Sequence, residues 1–255
     1  MKARAELTVE VGPGPALLRW RSAAPVALRP TGPHQVHLVQ ASGGPLGGDD
    51  LELDIHLGAG SSVQLRSAAA MVVQAGRFPV AARWTVAATL AAGAVLDWRP
   101  EPTVVCDGAE LYSRLSVVLQ RGACAILREE VVLGRASQRG GCYHGELAVE
   151  LDGAPLLAHT MLLDGADPAL AGPAGTGGAR VVGMLAVVGQ GRGGPARGAG
   201  ENPDLRWACS ALDGPGWLLL ALGDRPSAVS ALLDQAANGI CSANGSTAPR
   251  DPGDS

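Results

Sequence analysis

Apolar and polar residues alternate strictly along Leu51-Glu52-Leu53-Asp54-Ile55-His56-Leu57, the period of two that a strand with one buried face requires. Glu52, Asp54 and His56 then point away from the core. A turn at Gly58-Ala59-Gly60 leads into Val63-Gln64-Leu65-Arg66 with the same sense of alternation, so the two segments read as a hairpin. The unit recurs at Leu57-Gly58-Ala59-Gly60-Ser61, Leu90-Ala91-Ala92-Gly93-Ala94, Leu119-Gln120-Arg121-Gly122-Ala123 and, shortened, Leu151-Asp152-Gly153-Ala154, with its glycines 33, 29 and 31 residues apart. A period near thirty suits stacked β-units that cover one another's apolar faces, although a meander of hairpins would space glycines in the same way. Val181 to Val188 reads as a buried strand between two Gly- and Pro-rich stretches, near 164–180 and 189–202, expected as mobile loops. Trp217 to Leu222 is a further strand. Pro226 suits the first turn of a helix whose apolar spacing, Val229, Leu232, Leu233 and Ala236, runs until Asn238-Gly239 stops it. The fold class this predicts is mainly β: stacked or helix-like antiparallel or mixed sheets in a single domain over 1–241. A short C-terminal helix ends it, and a disordered tail follows over 242–255.

Composition narrows the function. Hydrophobic residues make up 47% and charged residues 17% of the 255-residue chain, a globular balance without an apolar run near the ~20 residues that span a bilayer. Residues 1–10 mix charge with apolar groups where a signal peptide needs an unbroken apolar stretch, so the expected location is the cytoplasm. A net charge of −4 without Lys/Arg clusters gives no electrostatic footprint for nucleic acid. The five cysteines are scattered and lack C-x-x-C pairs, so they read as reduced thiols used as small hydrophobes. Aromatics are 3%, which leaves Ala, Val and Leu to build the core, and 36 glycines with 18 prolines imply many turns.

No catalytic constellation emerges. The chain lacks the G-x-S-x-G elbow that positions a serine nucleophile and the H-E-x-x-H pair that holds zinc. Residues 189–194 do match G-x-G-x-x-G, but Pro195-Ala196-Arg197-Gly198-Ala199-Gly200 cannot begin the helix whose N-terminus would meet a pyrophosphate. His34 and His37 should face different directions. Cys142 and His144 share a strand face and could offer two ligands to a soft or borderline metal, a weak pair that reads as well as a buried thiol beside a surface imidazole. Asp97, Glu101 and Asp107 are the nearest approach to clustered carboxylates for a hydrolase or lyase.

Several stretches resemble the urease accessory protein UreD, also called UreH. Gln35-Val36-His37-Leu38-Val39-Gln40 and Gly43-Gly44-Pro45-Leu46-Gly47-Gly48-Asp49 are similar to that family's H-[LV]-x-x-x segment and G-G-[LI]-[VL]-x-G-D turn, which runs into an alternating strand. Asp97-Trp98-Arg99-Pro100-Glu101-Pro102-Thr103-Val104 resembles its W-x-P-x-x-T-[IV], and Glu130-Val131-Val132-Leu133-Gly134-Arg135 its E-x-x-x-L-G-R. The order covers most of the chain, and the strand, loop and helix from Trp217 to Gln235 fit the family's C-terminal end. There are departures: Ser67-Ala68-Ala69-Ala70-Met71-Val72 stands where the family has a T-Q-A-x-T-K-like segment, and Ala41-Ser42 replace its paired prolines. Pro102 also occupies the place of a glutamate.

The resemblance implies a non-catalytic scaffold that binds UreF, UreG and the urease structural subunits and helps deliver nickel to the urease active site. It implies a β-rich stack with an internal passage, nickel only in transit and no permanently bound cofactor. A conduit should hold the metal weakly, so carboxylates are the expected lining, with Asp49, Asp54 and Glu101 as candidates. Each has a plain structural alternative: a turn cap, a solvent face and a solvated surface group. Gly47, Gly48 and Gly60 are expected as structural turn residues. The competing readings are a β-stack module that binds another protein or a carbohydrate, unrelated to urease, and the hydrolase above. A chain built mainly from small apolar residues is expected to behave poorly without its partner.

Overall fold

A computed structural model describes residues 1–11, 17–189 and 197–243. In chain order its strands are β1 (Lys2–Glu10), β2 (Leu17–Arg21), β3 (Val26–Gly32), β4 (Gln35–Gln40), β5 (Asp50–Leu57) and β6 (Ser62–Ser67). There follow β7 (Met71–Val73), β8 (Ala82–Leu90), β9 (Val95–Trp98), β10 (Thr103–Val105), β11 (Glu110–Leu119) and β12 (Cys124–Leu133). The last are β13 (Cys142–Leu151), β14 (Ala154–Asp164), β15 (Val181–Gly189), β16 (Gly198–Asn202), β17 (Leu205–Ala211) and β18 (Gly216–Gly223), before the helix α1 (Pro226–Ala243).

Two sheets face each other across one apolar interior. The first has the order β14-β13-β11-β8-β5-β1-β2, and the second β16-β17-β18-β15-β12-β9-β6-β4-β3, with β10 attached to β12 and β7 to β10. Neighbours from β1 through β13 in the first sheet are parallel, as are β4, β6, β9 and β12 in the second. Parallel neighbours need crossovers, and the glycine corners supply them by carrying the chain from one sheet to the other at β5–β6, β8–β9 and β11–β12. Gly60, Gly93 and Gly122 have φ of 67°, 71° and 81°, the left-handed region that glycine enters without steric cost. The corners are stitched together: the Ala91 N–H donates to the Leu57 carbonyl, the Gly60 N–H to that of Ala92, and the Gln120 N–H to that of Leu90, each at 2.9 Å. The thirty-residue period is therefore a stack of coils, a solenoid-like arrangement in which each turn covers its neighbour.

The segments read as a hairpin, β5 and β6, lie in different sheets. Their apolar residues face the same interior from opposite sides, so the alternation is identical whether the chain doubles back or turns a corner. The fourth corner does differ. Asp152 and Gly153 have φ of 51° and 79°, and Leu151 lies opposite Ala154, so this is a two-residue turn that sends β14 back antiparallel along β13. The parallel stacking of the first sheet ends there.

Helix α1 packs on the outer face of the second sheet, burying Val229, Leu233 and Ala237 against Ile126, Val181, Leu185, Val187, Trp217 and Leu219. Gly183 makes room, since a Cβ there would lie 2.5 Å from Val229 Cγ1. The helix continues through Asn238-Gly239 to Ala243: a glycine costs an exposed helix about 1 kcal/mol without terminating it. Most of the tail expected to be disordered, residues 244–255, lies outside the described residues, as do 190–196 and with them most of the G-x-G-x-x-G match. Gly198–Asn202, expected as loop, is the edge strand β16. It pairs with β17 through a turn in which Asn202 Oδ1 accepts the Asp204 and Leu205 N–H groups, both at 2.9 Å. Among the described residues no helix is long and apolar enough to cross a membrane.

Candidate functional site

The three carboxylates named from sequence stand apart. Asp49, in the turn before β5, receives the α-amino group of Met1 on Oδ1 at 2.7 Å and the Leu46 N–H on Oδ2 at 2.9 Å. Asp54 lies on the outer face of the first sheet, where Arg4 Nε binds its Oδ2 at 2.6 Å. Glu101 is exposed between β9 and β10, at a cavity of about 110 Å³ lined also by Leu38, Met71, Trp84, Trp98 and Thr103. Gly47 packs directly on Gly76, and a Cβ on it would lie 2.5 Å from the Val80 carbonyl oxygen. Gly48 has a φ of 88°.

The interior holds a polar pair that sequence reading missed. Arg128-Glu129-Glu130 lies on β12, where alternation sends Glu129 inward with Ala125, Leu127 and Val131 while its neighbours point out toward α1. Tyr143, inward on β13, donates its hydroxyl to Glu129 Oε1. Burial pushes the Glu129 carboxyl above its ordinary range, against the opposing hydrogen bond from Tyr143. Burial and the facing carboxylate likewise raise the Tyr143 phenol well above its usual value. No cation pairs with Glu129 among the described residues. Met184 is its register partner on β15, and Met161 and His159 lie inward on β14, opposite Gly145 and Leu147. The His159 ring, lowered by burial, leaves Nδ1 without a hydrogen-bond partner.

On the outer face of the second sheet a charged network anchors α1. Asp97 is clamped by Arg66 Nη2 at 2.7 Å and by Arg99 at 2.7 and 2.9 Å. Burial alone would raise this carboxyl, but the hydrogen bonds from Arg99 and Arg66 outweigh it and hold it below its usual range. Arg99 reaches on to Asn238 at 3.0 Å and Asp234 at 3.4 Å. Arg128 binds Glu130 at 2.5 Å, Ser230 at 2.9 Å and Asp234 at 3.3 Å. Ser230, Asp234 and Asn238 are four apart, one helical stripe beside the apolar one. This spacing was legible in the sequence, and the Asp97-Trp98-Arg99 and Glu130 stretches that carried the family resemblance supply the other half of the network. It also removes Asp97 from the proposed hydrolase cluster, while Asp107 Oδ1 accepts the Gly140 N–H at 2.7 Å.

Cys142 and His144 share one face of β13 and line an open cleft of about 500 Å³ with Leu162, Asp164, Asp167 and Leu170. Burial, with a hydrogen bond to Asp164, pushes the Cys142 thiol up to about 11, which favours the protonated form near neutrality. His144 stacks on Tyr112 at 4.5 Å. His34 and His37 engage the Ser62 carbonyl and Thr31 hydroxyl separately. Among the described residues no three His, Cys, Asp or Glu side chains are grouped to hold a metal ion.

The fold and these sites define a solenoid-like β-stack with a carboxylate in its interior and a helix locked to its flank by charge. The family model described as "UreD urease accessory protein" matches residues 2–252. The chain is 40% identical over 268 residues to the urease accessory protein UreD of Frankia alni, covering 88% of each chain. It is 36% identical to that of Frankia casuarinae, over 92% of this chain and 88% of the relative. With the UreD of Streptomyces coelicolor it shares 37% over 79% and 80% of the respective chains. The chain belongs to the UreD urease accessory protein family.

Proposed function

We propose that this protein is a urease maturation factor: a scaffold that assembles with UreF and UreG on the urease structural subunits and helps pass nickel to the active site in the cytoplasm. The observation that carries the reading is the family match along nearly the whole chain, onto a stack whose coils meet face to face. Two carboxylates suit a cation in transit. Glu101, which makes no ion pair among the described residues, stands at the small cavity beside Trp84 and Trp98. Glu129 lies inside, with the Met184 thioether opposite it on β15. Neither belongs to a closed ligand set, and a site with few fixed ligands releases its ion readily. Asp49 and Asp54 are already engaged by Met1 and Arg4, so a cation would have to displace a positive charge at either.

Co-purification tests the scaffold part. The tagged chain expressed with UreF, UreG and the urease subunits of one operon is expected to bring down UreF and the apoenzyme in a complex that survives gel filtration. Isolation of the chain alone from cells containing all the others would contradict the reading.

A further inference from the structure

The strongest unexplained feature lies at the rim where β5 and β8 begin. Two loops, residues 43–49 and 74–81, are sewn together by backbone: the Gly47 N–H donates to the Gln74 carbonyl at 3.2 Å, the Gln74 N–H to that of Pro45 at 3.0 Å, and the Gly48 N–H to that of Ala81 at 3.2 Å. Gly47 and Gly76 touch so closely that a Cβ on either would collide with the other's backbone. This joint holds Leu46, Phe78 and Val80 outward, 42%, 66% and 58% exposed, and Met1 joins them through its amino group on Asp49. Single exposed apolar residues are ordinary, but four on three converging segments form a patch of the kind that marks an interaction surface. Backbone hydrogen bonds already tie the two loops together, which reduces the order lost on binding.

Charge indicates what the patch takes. Arg77 lies over the Phe78 ring at 5.7 Å, and Arg83, the second residue of β8, whose N–H donates to the Asp49 carbonyl, lies over Tyr112 at 5.6 Å. Neither forms an ion pair among the described residues, whereas Lys2 is matched by Asp50 at 3.1 Å and the terminal amine by Asp49. Two uncompensated guanidiniums beside an apolar patch, on a chain of net charge −4, are complementary to an anionic, apolar-faced surface. We infer that this rim docks an acidic amphipathic segment of a partner protein, with Phe78 and Val80 as its apolar anchors and Arg77 and Arg83 steering the approach. The inference rests on the proposed function for the identity of the assembly, not for the patch itself.

The test uses the full chain co-expressed with UreF, UreG and the urease subunits, with a photo-crosslinking phenylalanine analogue placed at position 78 or at 118. Val118 is an exposed apolar residue, 40% accessible, at the far end of β11. Expected are crosslinks from 78, and none from 118, to a partner peptide carrying acidic residues. F78D should weaken retention of that partner about tenfold, with V118D unchanged. R77Q/R83Q should slow association and flatten its salt dependence. If the wild-type chain retains its partners and F78D does so equally, the rim is not the docking surface and the proposed function stands. If the wild-type chain retains none of them, the proposed function fails first. Crosslinks from 78 to a second copy of this chain would overturn the inference by identifying a different occupant.

Discussion

Glu129 and Asp97 are both shielded carboxylates, but their surroundings drive them in opposite directions. Glu129 is buried with no cation beside it among the described residues, so, despite the opposing hydrogen bond from Tyr143, its proton is held more tightly in the folded state than in the unfolded one. Above the ordinary carboxylate value of 4.5 the unfolded chain releases this proton first, and stability declines as pH rises through the folded value. E129Q, which keeps shape and hydrogen-bonding capacity, should therefore flatten the fall in Tm as pH rises above 4.5 and raise Tm at neutral pH. Asp97 has two guanidiniums, so its contribution is present above 3.8 and is lost as pH falls through its lower folded value. D97N leaves Arg66 and Arg99 short of a countercharge and should cost about 3 kcal/mol in urea unfolding at pH 7, with less difference from the wild type at pH 3. Neither role was readable from sequence. Asp97 looked like a member of an acidic cluster, because nothing local reveals that Arg66, on the preceding coil, closes on it. Glu129 was hidden between two other charged residues, where only strand alternation separates the inward side chain from the outward ones.

At the level of elements, alternation and glycine spacing carried far. The strand at Leu51–Leu57, the buried strand beginning at Val181 and the helix from Pro226 all follow from local pattern. The pattern could not say which strands pair: β5 and β6 share a polarity that suits a hairpin or a corner equally, and only the stacking of Gly60 beneath Gly93 decides for the corner. Asp152-Gly153 did carry the distinguishing signal, a two-residue turn chemistry absent from the other three corners. The seat of α1 depends on a residue with no side chain. G183V would drive a methyl group into Val229 and Leu233, lift the helix from the sheet and cost about 1–3 kcal/mol, accompanied by a change in Trp217 fluorescence. G239A, where an added Cβ meets nothing within 4 Å, should instead stabilise by about 1 kcal/mol. Equal effects of the two substitutions on urea unfolding would contradict this account of the helix seat.

For the whole molecule, two sheets close on one apolar interior and a charged network holds α1 against the outer face of the second. The proposed role makes urease maturation depend on this protein. The most direct measurement is urease activity and bound nickel in cells carrying the structural subunits, UreF and UreG with ample nickel, with and without this chain. The account predicts that omission abolishes most of the activity and leaves the apoenzyme short of nickel, and that restoring the chain recovers both. Full activity and full nickel content without it would contradict the account.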